Sequence, residues 1–365
     1  LEFRRVLFRS PVANGTVTST SDQVVGSQLN CSADLAVGDR VCTAYFDTGA
    51  DVTLTAKPTT KTAYRFKAWT DDACKDNAYV DNADRKGTCT ITGIATNYTG
   101  LTKVVPTYQA IFALTTSVTG TGSLAIATEN VGEYRSGDTT CTAGPCTTYF
   151  DSGKKAVVTA TPTNAGTDWY LKSTGWGDYC DAAGDNPGTV ALDGKSGSCT
   201  VALGSDTTAS VTFTALRTLE ITSISGPGTL TVGGFGAGTK YSGTTTCADT
   251  DLAEGTCVLQ FDAGTEVTIT AVPTTATSWK FASFGGDCTG NAVDNVCTLQ
   301  LDENSTASAT FSEIRALTTK VTGKGALALS DTGWVSGPKS CPSTTDRKST
   351  RLNSSHVSES RMPSS

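Results

Sequence analysis

Two stretches of the sequence could place carboxylates for catalysis. Phe46-Asp47-Thr48-Gly49-Ala50-Asp51 and Phe150-Asp151-Ser152-Gly153 each present an aspartate followed by a hydroxyl residue and a glycine. Two such loops, each aiming a carboxylate at one shared proton and each steadied by its hydroxyl, would hydrolyse peptide bonds in acid. A third stretch, Phe261-Asp262-Ala263-Gly264, lacks the hydroxyl, and no apolar-apolar-glycine segment follows to brace either loop. Asp-x-Gly is also the sequence of a tight turn, since Asp bonds its own backbone and Gly accepts positive φ. The turn reading accounts for all three copies, whereas the dyad accounts for two. No catalytic residue is assigned and the chain is read as a non-enzyme. Its single histidine, His356, lies in the last ten residues, which leaves the body of the chain without Ser/His/Asp or Cys/His machinery.

Thirteen cysteines make a second chemistry available. They form sets in register with a repeat: Cys31, Cys42, Cys74 and Cys89; Cys141, Cys146, Cys180 and Cys199; Cys247, Cys257, Cys288 and Cys297. Cys341 opens a fourth set and has no partner in the sequence. Sets of four imply two disulfides per copy and an oxidising compartment, with three pairings open in each set. The intervals from first to second cysteine (11, 5 and 10) and from third to fourth (15, 19 and 9) vary independently. Loops at hairpin tips vary in this way, which favours Cys31-Cys42, Cys74-Cys89, Cys141-Cys146, Cys180-Cys199, Cys247-Cys257 and Cys288-Cys297. A zinc site is disfavoured, because no CxxC and no histidine accompanies the thiols.

Oxygen ligands gather between the third and fourth cysteine of each copy. They are Asp71, Asp72, Asp76, Asp81 and Asp84; then Asp178, Asp181, Asp185 and Asn186; then Asp287, Asn291, Asp294 and Asn295. Calcium takes six to eight oxygen ligands, and Asp/Asn loops of this kind supply them. No EF-hand spacing is present, and a solvated, turn-forming loop is the favoured reading. No metal site and no cofactor are assigned.

The two ends are read apart from the rest. Residues 1–10 and 346–356 can be encoded by a single DNA element read in opposite directions, and that element looks like a sequencing-library adaptor. Both ends, 1–10 and 346–365, are therefore set aside as artefact. They hold seven of the 28 Lys+Arg and three of the 35 Asp+Glu, so 21 cations face 32 anions in the remainder, a net charge of −11. That remainder has no visible start and reads as a fragment of a longer frame. Its charge argues against nucleic acid or an anionic membrane as partner, both of which need clustered cations. No apolar run approaches the length of a membrane span.

The elements that must carry these groups repeat with a period a little over one hundred residues. Cys42 to Pro58 (CTAYFDTGADVTLTAKP) recurs as Cys146 to Pro162 (CTTYFDSGKKAVVTATP) and as Cys257 to Pro273 (CVLQFDAGTEVTITAVP). Within it Val52, Leu54 and Ala56 alternate with Thr53 and Thr55, and Val267, Ile269 and Ala271 with Thr268 and Thr270, the period of a half-buried strand. The proline that follows removes a ladder donor and ends the pairing. A Gly-led alternating strand opens each copy at Gly122, Gly228 and Gly325, and an alternating segment closes each full copy at Phe112, Phe213 and Phe311. Phe46, Trp69, Phe150, Trp176, Phe261 and Phe284 recur at matching places and are read as core aromatics. Tyr64 with Phe66, Trp169 with Leu171, and Trp279 with Phe281 alternate on one strand face, the pattern of core positions rather than of a platform for sugars. The junctions Phe213-Thr-Ala-Leu-Arg217 and Phe311-Ser-Glu-Ile-Arg315 hold no Gly/Ser or Pro-rich linker, which predicts stiff coupling between copies.

With YRFKAWTDDAC (Tyr64 to Cys74), WYLKSTGWGDYC (Trp169 to Cys180) and WKFASFGGDC (Trp279 to Cys288), and with the closing tail from Cys199 to Phe213, the module resembles the divergent internalin B-repeat modules of bacterial surface and secreted proteins. Only copy two keeps the family's Gly-Trp-Gly, at Gly175 to Gly177. The resemblance implies small β-grasp-like or sandwich modules used as stalks, spacers or adhesive arrays, without catalytic residues to carry over.

The fold class expected is all-β, a tandem array of small disulfide-stapled modules of β-grasp-like or β-sandwich form. Repeat 1 spans 11–114, repeat 2 spans 115–216, repeat 3 spans 217–315 and a truncated repeat 4 spans 316–345. The function expected is a non-catalytic extracellular or cell-surface array, secreted by a bacterium, that serves as spacer, stalk or adhesive region. The alternative is an ancillary region of a secreted enzyme that binds a glycan or protein ligand.

Overall fold

Val52, Leu54 and Ala56 are buried while Thr53 and Thr55 are half-buried, and Val267, Ile269 and Ala271 are buried against half-buried Thr268 and Thr270. The period-two pattern therefore sorts each strand into a core face and an outer face. The computed structural model describes residues 4–9, 14–19, 30–32, 41–47, 49–70, 74, 78–81, 83–93, 102–183, 187–237, 239–248, 257–322, 325–328 and 340–342. The chain divides into two units, residues 1–216 and residues 217–365.

Copy one contributes β1 (Arg4–Arg9), β2 (Gly15–Ser19), β3 (Asn30–Ser32), β4 (Val41–Phe46), β5 (Val52–Pro58), β6 (Tyr64–Trp69), β7 (Ala78–Asp81), β8 (Lys86–Ile91), β9 (Thr102–Lys103) and the start of β10 (Pro106–Thr119). Copy two follows with β11 (Gly122–Thr128), β12 (Arg135–Gly137), β13 (Thr140–Cys141), β14 (Cys146–Asp151), β15 (Lys155–Pro162), β16 (Trp169–Asp178), β17 (Thr189–Val190), β18 (Gly197–Ala202) and β19 (Thr207–Ser225). Copy three adds β20 (Gly228–Gly233), β21 (Lys240–Ser242), β22 (Thr246–Ala248), β23 (Val258–Asp262), β24 (Thr265–Pro273), β25 (Trp279–Gly286), β26 (Ala292–Val293), β27 (Val296–Leu301) and β28 (Ser305–Glu313). Beyond it β29 (Ala326–Ala328) and β30 (Ser340–Pro342) form an antiparallel pair.

Each copy is a sandwich of two sheets, which decides between the two forms expected. In copy two the first sheet runs β13-β11-β15-β18-β17, antiparallel throughout. The facing sheet runs β12-β14-β10-β19 with β16 against β19, and β10 beside β19 is its one parallel pair. Copies one and three repeat the first sheet as β3-β2-β5-β8-β7 and β22-β20-β24-β27-β26. Side chains from both layers fill one core per copy; in copy two Leu124, Val158 and Val201 of one sheet meet Leu114, Phe150 and Phe213 of the other. Fully burying an aromatic such as Phe150 is worth about 1.5–3 kcal/mol.

The glycine that opens each copy sits where the two layers touch. A Cβ on Gly122 would run into the Phe213 ring, one on Gly228 into the Phe311 ring, and one on Gly15 into the Tyr108 ring. This corrects the closing residue of copy one. Tyr108, opposite Phe66, holds the place that Phe213 and Phe311 hold opposite Leu171 and Phe281. Phe112 lies farther along the same strand and already faces Phe150 of copy two.

β10 and β19 are unbroken through the junctions between copies. The last strand of one copy and the first strand of the next are one strand. The Asp-x-Gly stretches are turns, with φ of 84° at Gly49, 78° at Gly153 and 80° at Gly264. The end set aside as residues 1–10 supplies β1, whose backbone pairs with β4 and, in parallel, with β9. That is the slot β10 fills between β14 and β19 in copy two. Residues 346–365 lie outside the described residues.

Candidate functional site

The aspartates nominated by their Asp-x-Gly context end in turns. Asp47 is exposed and its carbonyl accepts the Ala50 N–H at 3.1 Å, and the Asp151 carbonyl accepts the Lys154 N–H at the same distance. The Asp51 carboxylate accepts the Gly93 N–H at 2.8 Å. Asp262 is buried, and its N–H donates to the Thr239 carbonyl at 2.9 Å. The group that meets the Asp151 carboxylate is a guanidinium: Arg65 Nε donates to Oδ1 at 2.6 Å and Nη2 to Oδ2 at 2.8 Å. A carboxylate fixed in that fork is not half of a proton-sharing dyad.

That ion pair is the centre of the most developed polar arrangement among the described residues, and it joins copy one to copy two. Arg65 comes from β6 of copy one and Asp151 from the end of β14 in copy two, with side chains only 14% and 15% exposed. The same guanidinium lies over the Tyr134 ring, 4.2 Å from its centroid, and donates Nη1 to the Phe66 carbonyl at 3.1 Å. Arg85, buried in copy one, lies over the Tyr149 ring at 3.8 Å and donates to the Lys61 carbonyl and, at 3.4 Å, to Ser136 Oγ. Tyr134 Oη pairs with Ser136 Oγ at 2.9 Å. Two arginines of one copy thus clasp two tyrosines and an aspartate of the next. The backbone adds two bonds, Ser152 N–H to the Ala110 carbonyl at 2.9 Å and Ala113 N–H to Asp206 Oδ1 at 2.9 Å.

Asp151 stood out in the sequence as a catalytic candidate and not as an ion-pair partner, because Arg65 lies 86 residues away. A signal was present in the comparison of copies. Arg65 replaces the residue that is Tyr170 in copy two and Lys280 in copy three, an unforced cation on an aromatic-rich strand.

The cysteines close in pairs: Cys74 with Cys89, Cys141 with Cys146, Cys180 with Cys199, Cys247 with Cys257 and Cys288 with Cys297. Their Cα separations of 5.4 to 5.9 Å lie in the usual range. Cys31 is disulfide-bonded, while the side chains of Cys42 and Cys341 lie outside those described.

Among the core aromatics Phe46, Trp69, Phe150, Trp176 and Phe261 are buried, and Phe284 is half-buried. The difference lies in the cover. Trp176 donates Nε1 to the Thr189 carbonyl at 3.2 Å and is touched by Gly188, both inside the 19-residue loop from Cys180 to Cys199. The corresponding loop of copy three spans 9 residues, and Phe284 packs instead on Phe281 with centroids 4.7 Å apart. Tyr64, Trp169, Trp279 and Phe281 are likewise half-buried, and Trp169, Trp279 and Phe281 pack against the cores of their copies.

Of the oxygen-rich loops, Asp71, Asp72, Asp76, Asp185 and Asn186 lie outside the described residues. Among the others, Asp81, Asp181 and Asp287 accept backbone N–H groups, and Asn291 and Asn295 donate to backbone carbonyls. Asp81 Oδ1 accepts the N–H groups of Ala83 and Asp84 at 3.0 and 3.1 Å, and Asp287 Oδ2 accepts that of Thr306 at 2.7 Å. The Asp84 N–H, aided by Lys86, holds the Asp81 carboxyl below its ordinary range. Lys154, 3.0 Å away, does the same for Glu133, with help from Asn130. Among the described residues no three His, Cys, Asp or Glu side chains gather as a metal site would require. Burial raises the Tyr108 phenol, whose oxygen lies 3.2 and 3.1 Å from the carbonyls of Thr16 and Lys57. No helix among the described residues is long and apolar enough to cross a membrane.

Residues 36–92 and 226–315 match the divergent InlB B-repeat domain. The matched stretches lie within copies one and three. Copy two lies outside the matched residues and has the same strand order. The array is also similar, at 10% identity and a TM-score of 0.22, to the pilus adhesin SpaC from Lactobacillus rhamnosus GG in its open conformation, over 87% of this chain and 44% of the adhesin. A Streptococcal ancillary pilin is similar at 8% identity and a TM-score of 0.19, over 85% of this chain and 99% of the pilin. Likenesses this distant carry no shared arrangement or role. The chain spans less than half the length of the adhesin. Among curated proteins none matches the chain.

Proposed function

We propose that this B-repeat array is a non-catalytic spacer of a bacterial protein displayed on the cell surface or secreted, and that copies 11–114, 115–216 and 217–315 are its segments. The junction between copies one and two supports this reading most. A spacer must resist bending where its modules meet, and here no linker intervenes. β10 runs through the junction, and the Arg65 and Arg85 clasp blocks rotation about it. Two disulfides per copy suit an oxidising, extracellular setting.

The test is the spread of distances across the junction. Spin labels on unnatural residues at the exposed positions Lys67 and Lys195 should report one narrow distance distribution in the full chain. Replacing both Arg65→Ala and Arg85→Ala should broaden it while each copy keeps its fold. A broad distribution in the unmodified chain would remove the spacer reading.

A further inference from the structure

We propose that copies two and three each bear tension, because in each the strand on which the chain enters and the strand on which it leaves are parallel neighbours in one sheet. This deepens the spacer reading and rests on it. In copy two the chain enters on β10 and leaves on β19, and the two pair in parallel from Leu114 opposite Thr207 to Thr119 opposite Thr212, six successive residue pairs. In copy three it enters on the second half of β19 and leaves on β28, paired in parallel from Leu219 opposite Ser305 to Ser225 opposite Thr310.

The direction of the load follows from this geometry. Tension pulls the entering strand toward its N-terminal end and the leaving strand toward its C-terminal end. For parallel neighbours those directions are opposed along the strand axis. The evenly spaced bonds of the ladder are then sheared together instead of opened one at a time. Neither copy can lengthen until the whole lap fails. A side chain fastens each lap at its start: Asp206 Oδ1 accepts the Ala113 N–H at 2.9 Å, and Asn304 Oδ1 accepts the Thr218 N–H at 3.0 Å. Arg217 Nε adds a bond of 2.7 Å to the Asp302 carbonyl. Antiparallel pairs elsewhere in the same fold lack this geometry. β11 and β15 end together at Gly122 opposite Pro162, so a force applied there opens them pair by pair.

The disulfides limit how far a failed copy extends. In copy two, separations of 5 and 19 residues keep 24 residues out of the stretched chain, and in copy three separations of 10 and 9 residues keep out 19. At the extended reach of a residue, reduction should lengthen the copy-two event by about 85 Å and the copy-three event by about 70 Å.

The experiment is single-molecule pulling of the full chain in two geometries. Handles at the chain ends load the laps, and handles on unnatural residues at the exposed Thr121 and Thr163 unzip β11 from β15. Rupture is a rate, so both are read at one loading rate. End-to-end rupture of copies two and three should need several times the force of the Thr121/Thr163 rupture, with the two length increments growing as stated once reductant is present. Equal forces in the two geometries would overturn the proposal. If the forces are equal while the Lys67/Lys195 distances stay narrow, the spacer reading stands and tension bearing alone falls. If the distances are broad, the spacer reading falls first.

Discussion

Gly122 shows how one residue sets the contact between the two layers. Its missing side chain is the space occupied by the Phe213 ring, and Gly228 and Gly15 leave the same space for Phe311 and Tyr108. The strand conformation would accept alanine there, so the requirement is one of volume and not of φ. Gly122→Ala should destabilise the chain by roughly 1–3 kcal/mol through overpacking, as read by denaturant unfolding. Gly204→Ala meets no atom within 4 Å and serves as control. The glycine could be read from sequence as the head of an alternating strand, but its partner, 91 positions away, could not. Asp151 teaches the converse. Its neighbours in sequence suggest catalysis, and its neighbour in space, Arg65, makes it a fastener.

At the scale of elements, each disulfide joins the two layers. Cys141 is in β13 of one sheet and Cys146 in β14 of the other; Cys199 is in β18, and Cys180 follows β16 of the facing sheet. Loop closure makes them unequal. Removing Cys180-Cys199 with alanine at both positions should cost about 3 kcal/mol, and removing Cys141-Cys146 about 2 kcal/mol, in the chain-entropy account. Denaturant midpoints of the two double variants should fall in that order. Loss of cover over Trp176 should also redshift its fluorescence in the first variant only. Four cysteines admit three pairings, and the choice is made by strand register, which brings the paired Cα atoms within 5.4 to 5.9 Å.

The whole molecule is built of copies that do not own all their strands. Leu219, Ile221 and Ile224 of β19 lie in the core of copy three, although β19 begins in copy two. A chain cut before Arg217 should leave a copy three that folds, whereas a cut before Gly226 should leave one that does not, since three buried side chains and the central strand of one sheet go with it. Far-ultraviolet circular dichroism and cooperative melting of the two truncated chains would show the difference. Folding of the shorter piece to the same melting point would mean that β19 is dispensable.

What the sequence determined by itself was whatever depends on neighbours one to a few residues away. The alternation of Val52, Leu54 and Ala56, the positive φ of Gly49, Gly153 and Gly264, and the strand ends at Pro58, Pro162 and Pro273 are local consequences of side-chain period, turn chemistry and a missing donor. Tertiary structure decided the rest, and one comparison shows why. Residues 111–120 (IFALTTSVTG) and 314–323 (IRALTTKVTG) share eight of ten positions. The first lies in β10 between β14 and β19, with Leu114 fully buried. Residues 314–322 form no strand, and Leu317 is 73% exposed. An extended segment has no hydrogen bonds of its own, so its ladder and its burial come from the strands beside it, and for Leu114 the facing residues, Thr148 and Thr207, lie 34 and 93 positions away in the chain.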